Sequence, residues 1–244
     1  MCIIITKPRG AALPPISHIE NSFKNNPHGF ACLWENKGKI KSYRTLDREA
    51  CLGFYRNLLR DKHRWHDVPF SFHFRFATHG SKTESNCHAY IDESKKIGFQ
   101  HNGILSYVVP KEMDITDSEY FFRNIFLPVF KAFGMEEHII ENFTEGGFNK
   151  FSFIYGGTIY MFGNFIEESG CYYSNTTYED YEYSYGYKKG KFKAKTHFDN
   201  TKCLELDISY EKTPIDDYET KFPSLPCDTC VDFDCKNCDL WNTM

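Results

Sequence analysis

A chain of 244 residues, 41% hydrophobic and 17% aromatic, is long and apolar enough for one large domain with its own core, which excludes a disordered polypeptide. A formal net charge of −4 excludes the basic footprint of wholesale nucleic-acid or anionic-membrane binding. The apolar run after Met1 stops at Lys7-Pro8, too short for a signal-peptide core, and no later stretch has the length of a membrane-spanning helix. The expectation is a soluble cytoplasmic protein whose ten cysteines stay reduced.

Residues 2–6, Cys-Ile-Ile-Ile-Thr, read as a buried strand, and 7–15, rich in Pro and Gly, as a loop. Segments 29–34 and 39–43 read as a hairpin around Asn36-Lys37-Gly38. Thr45 is placed to N-cap a helix that carries Ala50, Phe54, Leu58 and Leu59 at helical spacing. In 70–77 alternation puts Phe70, Phe72, Phe74 and Phe76 on one face of a strand, and Ser71, His73 and Arg75 on the other. Strands 97–100 and 104–109 flank Asn102-Gly103, a dipeptide that favours a tight hairpin turn.

A long helix follows, opened by Thr116 and Glu119 as a capping box. Phe121, Ile125, Val129 and Phe133 form one apolar stripe beside Phe122, Phe126 and Phe130; Pro128 is a candidate kink and Gly134 a candidate C-cap. After a short helix around 136–143 come strands 151–155, 158–162 and 171–174. The basic run 188–195 follows a Tyr-rich acidic stretch and reads as a solvated hairpin rather than a phosphate site. Apolar periodicity fades after about Tyr210, dividing the chain into 2–210 and a Cys-rich tail, 211–244. Strands, then helix, then strands give α+β with much antiparallel sheet.

Cys2 is the first residue with chemistry to offer. Removal of Met1 would leave an α-amine on the residue that carries the thiol, and an amine titrating near ~7.7–8.0 is a suitable base at neutral pH. Taken alone, a Cys at this position is far more often a small buried apolar residue at the start of a core strand. Arg75 offers a planar fork suited to a carboxylate, with surface ion pairing as the plain alternative. Asp117 at a helix start can bind an ammonium or simply complement the helix dipole.

Cys2, then Arg75-Phe-Ala-Thr-His-Gly80, then His101-Asn-Gly103, then Asp117 opening a helix: this order resembles the class II glutamine amidotransferases, of the N-terminal-nucleophile (Ntn) hydrolase family, over roughly residues 2–180. Asn86-Cys87-His88 is similar to the N-x-H stretch these proteins carry next. Met1 to Pro8, Asn26-Pro-His-Gly-Phe30, Gly163-Asn-Phe-Ile166 and Tyr172-Tyr-Ser-Asn175 are similar to the small stand-alone members. The resemblance implies a four-layer αββα sandwich with two stacked, mainly antiparallel sheets. It implies that the Cys2 thiol attacks the side-chain amide of glutamine or another γ-glutamyl amide, with Asn102 and Gly103 binding the oxyanion. Arg75 and the loop of Thr78, His79 and Gly80 would hold the α-carboxylate, and Asp117 the α-ammonium. His79 and His88 would position or support rather than act as bases.

Catalysis of this kind needs no cofactor, and the ammonia would pass to a separate acceptor synthase, since the residues after the resemblance are too few for one. Alternatives are a γ-glutamyl peptide hydrolase on the same fold, or an inactive Ntn-fold binding protein that docks a partner through its tail. The sequence departs from the family pattern at Ile3, where Gly often follows the nucleophile, at Ala89 after His88, where Pro is common, and at Pro27-His28-Gly29. In the tail, Cys227-Asp-Thr-Cys230 and Cys235-Lys-Asn-Cys238 could hold a structural zinc; an iron–sulfur site, disulfides or an unstructured tail remain open alternatives.

Overall fold

In the computed structural model, residues 2–77, 80–94, 96–108, 110 and 115–180 are described. The unbroken run Ile3–Lys7 (β1) is buried along its whole length because it lies inside a sheet that is covered on both faces. After helix α1 (Ile16–Asn25) come β2 (Phe30–Asn36) and β3 (Lys39–Thr45), then α2 (Arg48–Arg60) and β4 (Phe70–Phe74). The second half holds β5 (Tyr90–Asp92), β6 (Ile97–Asn102), α3 (Asp117–Phe121), α4 (Leu127–Phe133), α5 (Glu137–Glu141), β7 (Lys150–Tyr155), β8 (Thr158–Phe162), β9 (Ile166–Glu168) and β10 (Cys171–Tyr173). The first sheet has the order β3-β2-β4-β1-β10-β9 and the second β5-β6-β7-β8, with antiparallel neighbours throughout.

Strand alternation decides what each face meets. Ile3, Ile5, Phe30, Phe70, Phe72 and Phe74 pack on Ile19 and Phe23 of α1 and on Leu52, Tyr55 and Leu58 of α2. Phe99, Phe151 and Phe153 of the second sheet pack on Phe121, on Phe122, Phe126 and Phe130, and on Ile140 of α5. The opposite faces of the two sheets meet each other, Ala31, Leu33 and Ile40 against Ile154 and Ile159. The order of layers is therefore helix, sheet, sheet, helix.

The structure differs from the sequence reading at several points. Helix α1 was not anticipated, although Ile16, Ile19 and Phe23 follow Pro15 at helical spacing. Asp47, not Thr45, caps α2: its carboxylate accepts from Ala50 N at 2.6 Å, while Thr45 Oγ1 accepts from Asp47 N. The hairpin turns on Lys37 (φ 52°) and Gly38 (φ 71°), the left-handed pair a two-residue loop needs. Asn102-Gly103 is not a hairpin turn, because β6 pairs with β5 and with the distant β7. Gly103 instead ends the strand where it passes Asn149, and a Cβ there would stand 2.1 Å from Asn149 Oδ1.

The long helix is interrupted by a π-helical turn, Phe122–Phe126, in which Leu127 N–H reaches back to Phe122 O. Its wider turn offsets the drift of a four-residue row, so Phe122, Phe126 and Phe130 stay stacked in the core while Phe133 of the other expected stripe is 60% exposed. Pro128 sits in the first turn of α4, where its missing N–H is harmless, and Gly134 (φ 71°) ends that helix. No helix among the described residues is long and apolar enough to cross a membrane. The boundary near 210, the basic run and the tail cysteines Cys227, Cys230, Cys235 and Cys238 lie outside the described residues, as do Thr78 and His79.

Candidate active site

Cys2 just ahead of β1, the segment after β4, the end of β6 and the start of α3 converge on one pocket. It is partly open to solvent and is lined by Cys2, Arg75, Phe76, Ala77, His88, Gly103, Ile104, Thr116 and Asp117. Four of the residues singled out in the sequence, Cys2, Arg75, Gly103 and Asp117, thus share one cavity. Asn102 and Gly80 lie beside it without lining it.

Cys2 as a residue is half-buried, and its thiol is unbridged. Phe76 N donates to Sγ at 3.2 Å, and Sγ lies 3.5 Å from Phe76 O. Burial pushes the thiol up from its ordinary value, against the pull of the Phe76 N–H, so a base is needed to ionise it. Phe76 belongs to the expected four-Phe stripe but lies past the end of β4; its backbone holds the sulfur instead. Ile3 does not crowd the thiol, since its side chain turns the other way, into the core beneath α1 and α2.

Arg75 is 2% exposed, and its guanidinium donates from Nη1 to Ser81 O at 2.8 Å and from Nη2 to Gly80 O at 3.4 Å. Its backbone is pinned by Gly29 O, which accepts from Arg75 N at 2.8 Å, and by His28 N, which donates to Arg75 O at 3.0 Å. His28 Nδ1 then accepts from Ala77 N at 2.9 Å, and the ring packs on Phe76. Burial, then the charges of Lys82 and Arg75, hold His28 below its ordinary value, in keeping with a neutral ring whose Nδ1 is an acceptor. The sequence reading assigned His28 no shaping role; it named the residue only within Asn26-Pro-His-Gly-Phe30 and as part of the unusual Pro27-His28-Gly29.

Thr116 caps α3 by accepting from Glu119 N at 3.2 Å, which sets Asp117 in the first turn. Asp117 Oδ2 accepts from Leu105 N at 3.0 Å and Oδ1 from Ser118 N at 2.8 Å. Burial opposes its ionisation, but the Leu105 N–H, the attraction of His101 and His88 in their protonated forms and the Ser118 N–H outweigh it and hold the carboxyl below its ordinary value. The pocket lining therefore includes both an ionised carboxylate and a guanidinium.

Asn102 is 1% exposed; its Nδ2 donates to Ser174 Oγ at 2.8 Å and its Oδ1 has no hydrogen-bond partner among the described residues. Exchanging the amide's O and N keeps a bond to Ser174, whose hydroxyl would then donate, and turns the NH₂ toward the side where Oδ1 finds nothing. His88 Nδ1 donates to His101 O at 2.7 Å, which leaves Nε2 as the acceptor of the neutral ring. Burial, then the neighbouring His101, push His88 down to about 3, so at neutral pH it stays neutral and can accept a hydrogen bond but neither takes up nor delivers a proton. His73 stacks on His88 with centroids 4.4 Å apart.

No family model matches the chain, and no curated protein matches it either. Among solved structures the chain is distantly similar to a glutamine aminotransferase class-II domain protein from Silicibacter pomeroyi. The two are 13% identical with a TM-score of 0.35, and the match covers 71% of this chain and 87% of that one.

Proposed function

We propose that this chain is an Ntn-type amide hydrolase that acts on glutamine or another γ-glutamyl amide through Cys2, and that its helix–sheet–sheet–helix layering is the αββα sandwich of that family. The observation that carries the reading is the shared pocket of a thiol, a guanidinium and an ionised carboxylate, drawn from segments far apart in the chain. An amino-acid head group asks for a cation against its carboxylate and an anion against its ammonium, and Arg75 and Asp117 supply that pair.

In this reading the chain is processed to begin at Cys2. The freed α-amine takes the thiol proton and the thiolate adds to the γ-carbonyl. The Gly103 N–H, with the Asn102 amide turned toward the pocket, receives the oxyanion. The C–N bond breaks, ammonia leaves with the proton held by the amine, and water resolves the thioester to glutamate. The ammonia goes on to a separate acceptor enzyme.

Intact mass should show loss of Met1, and glutamate release from glutamine should fall to background in Cys2→Ala. Equal rates in wild type and Cys2→Ala would overturn the reading. Activity confined to γ-glutamyl dipeptides would move it to a peptide hydrolase on the same site.

A further inference from the structure

Where β10 ends, its ladder with β1 passes from backbone to side chains. The last backbone bond runs from Ser174 N to Ile4 O at 2.9 Å. The return bond that would close the pair goes instead from Ile4 N to Ser174 Oγ at 2.8 Å. One step further, the side chain of Asn175 takes over, its Nδ2 donating to Cys2 O at 2.6 Å. The end of β1 is thus gripped by side chains at the point where a strand terminus would otherwise fray.

The same Ser174 oxygen receives Asn102 Nδ2 at 2.8 Å from the other sheet, so one hydroxyl is bonded both to the nucleophile's strand and to the amide beside the pocket. Asn175 is itself held: its Oδ1 accepts from Thr177 N at 3.0 Å and Thr177 Oγ1 at 2.8 Å. Thr177 in turn is moored to the end of α1, with Asn25 Nδ2 donating to its carbonyl at 2.8 Å and Asn26 Nδ2 to its hydroxyl at 3.0 Å. Neither Ser174 nor Asn175 lines the pocket.

We propose that Ser174 and Asn175 are positioning residues that fix the Cys2 thiol and the Asn102 amide relative to each other; this rests on the reading of Cys2 as the nucleophile. Attack on a carbonyl between a thiol and an oxyanion donor is sensitive to placement, and an error of about 1 Å costs on the order of 100-fold in rate. Ser174 ties the two groups through one atom, and Asn175 holds the residue that must carry both thiol and amine.

The test uses the full chain and steady-state glutamate release, with thermal melts run alongside. Asn175→Asp removes the donor to Cys2 O and keeps the acceptor for Thr177; Ser174→Ala removes the shared hydroxyl, and Ser174→Thr restores it. The expected result is a kcat lower by on the order of 100-fold in Asn175→Asp and Ser174→Ala, with KM for glutamine within about twofold and Ser174→Thr back within about tenfold of wild type. An undiminished kcat in Asn175→Asp would overturn the proposal. So would a rise in KM that matches the fall in kcat, or a Ser174→Thr variant as impaired as Ser174→Ala, since either marks general packing. A wild type no faster than Cys2→Ala is a different failure: it removes the nucleophile reading itself, and this inference with it.

Discussion

The layer between the two sheets has two unlike parts. Under β2 and β3 it is hydrocarbon: Ala31, Leu33 and Ile40 meet Ala89, Ile154 and Ile159, each at most 5% exposed. There the sheets approach so closely that a Cβ on Gly98 would lie 2.9 Å from Ile40 Cγ2. Under β4, β1 and the segment after β10 the same layer is polar, with Ser71 Oγ bonded to Gln100 Oε1 at 2.5 Å and to Ser152 Oγ at 2.8 Å. His73, Gln100 and Asn102 each keep buried atoms without a hydrogen-bond partner among the described residues. The difference separates two tasks along single strands: β6 gives Gly98 to the part that holds the sheets together and Asn102 to the part beside the pocket.

Truncation on the apolar side should cost stability and leave chemistry alone. Leu33→Ala removes a fully buried side chain from the tight part and should lower the unfolding free energy by about 2–5 kcal/mol in denaturant titration, with kcat per folded molecule unchanged. Asn102→Ala should do the reverse. It removes one buried unpartnered amide atom together with the hydrogen bond to Ser174 Oγ, so stability should fall by no more than about 0.5–1.5 kcal/mol, while loss of an oxyanion donor lowers kcat by roughly 100- to 1,000-fold, about 2.7–4 kcal/mol of barrier. An active Asn102→Ala enzyme, or a Leu33→Ala protein that loses rate before stability, would break the division. Gly98→Ala probes the close approach from the other direction: overpacking against Ile40 and Leu33 should cost about 1–3 kcal/mol, again without a change in kcat.

Much of this was legible because it is written in short-range pattern. Alternating Phe70, Phe72 and Phe74 gave the face of β4, and Thr116 with Glu119 gave the start of α3. The candidate site was legible through motif order, which named Cys2, Arg75, Gly103 and Asp117 before any geometry joined them. What escaped is set by long-range contact. Asn102-Gly103 has the local chemistry of a hairpin, yet pairing with β7 overrides it. The π turn depends on which Phe row the second sheet accepts, and periodicity presents both rows alike. The roles of His28, Ser174 and Asn175 rest on bonds to residues distant in sequence, a distance that no local window spans.

The smallest expected effect is a slope rather than a step. His73 is fully buried, and both ring nitrogens lack a hydrogen-bond partner among the described residues. Burial, with His88, Arg75 and His101 adding to it, outweighs a weak upward pull from the His101 backbone and holds it well below its ordinary value, and His88 is down at about 3. Above the unfolded value of about 6.5 both states are neutral and His73 contributes nothing to pH dependence. As pH falls below about 6.5 the unfolded histidine takes a proton that the folded one refuses, so stability falls by about 1.4 kcal/mol per pH unit for each such residue. Asp117 does not blur this window, because a carboxyl with a lowered value loses its contribution only as pH drops below the unfolded value of about 3.9. His73→Phe keeps a ring against His88 and removes the titration. Its unfolding free energy, followed by denaturant titration from pH 7 to pH 5, should therefore fall less steeply than that of wild type by up to about 1.4 kcal/mol per pH unit. Parallel slopes would mean that His73 takes a proton in the folded state, and the polar part of the layer would then hold a charge rather than a neutral ring.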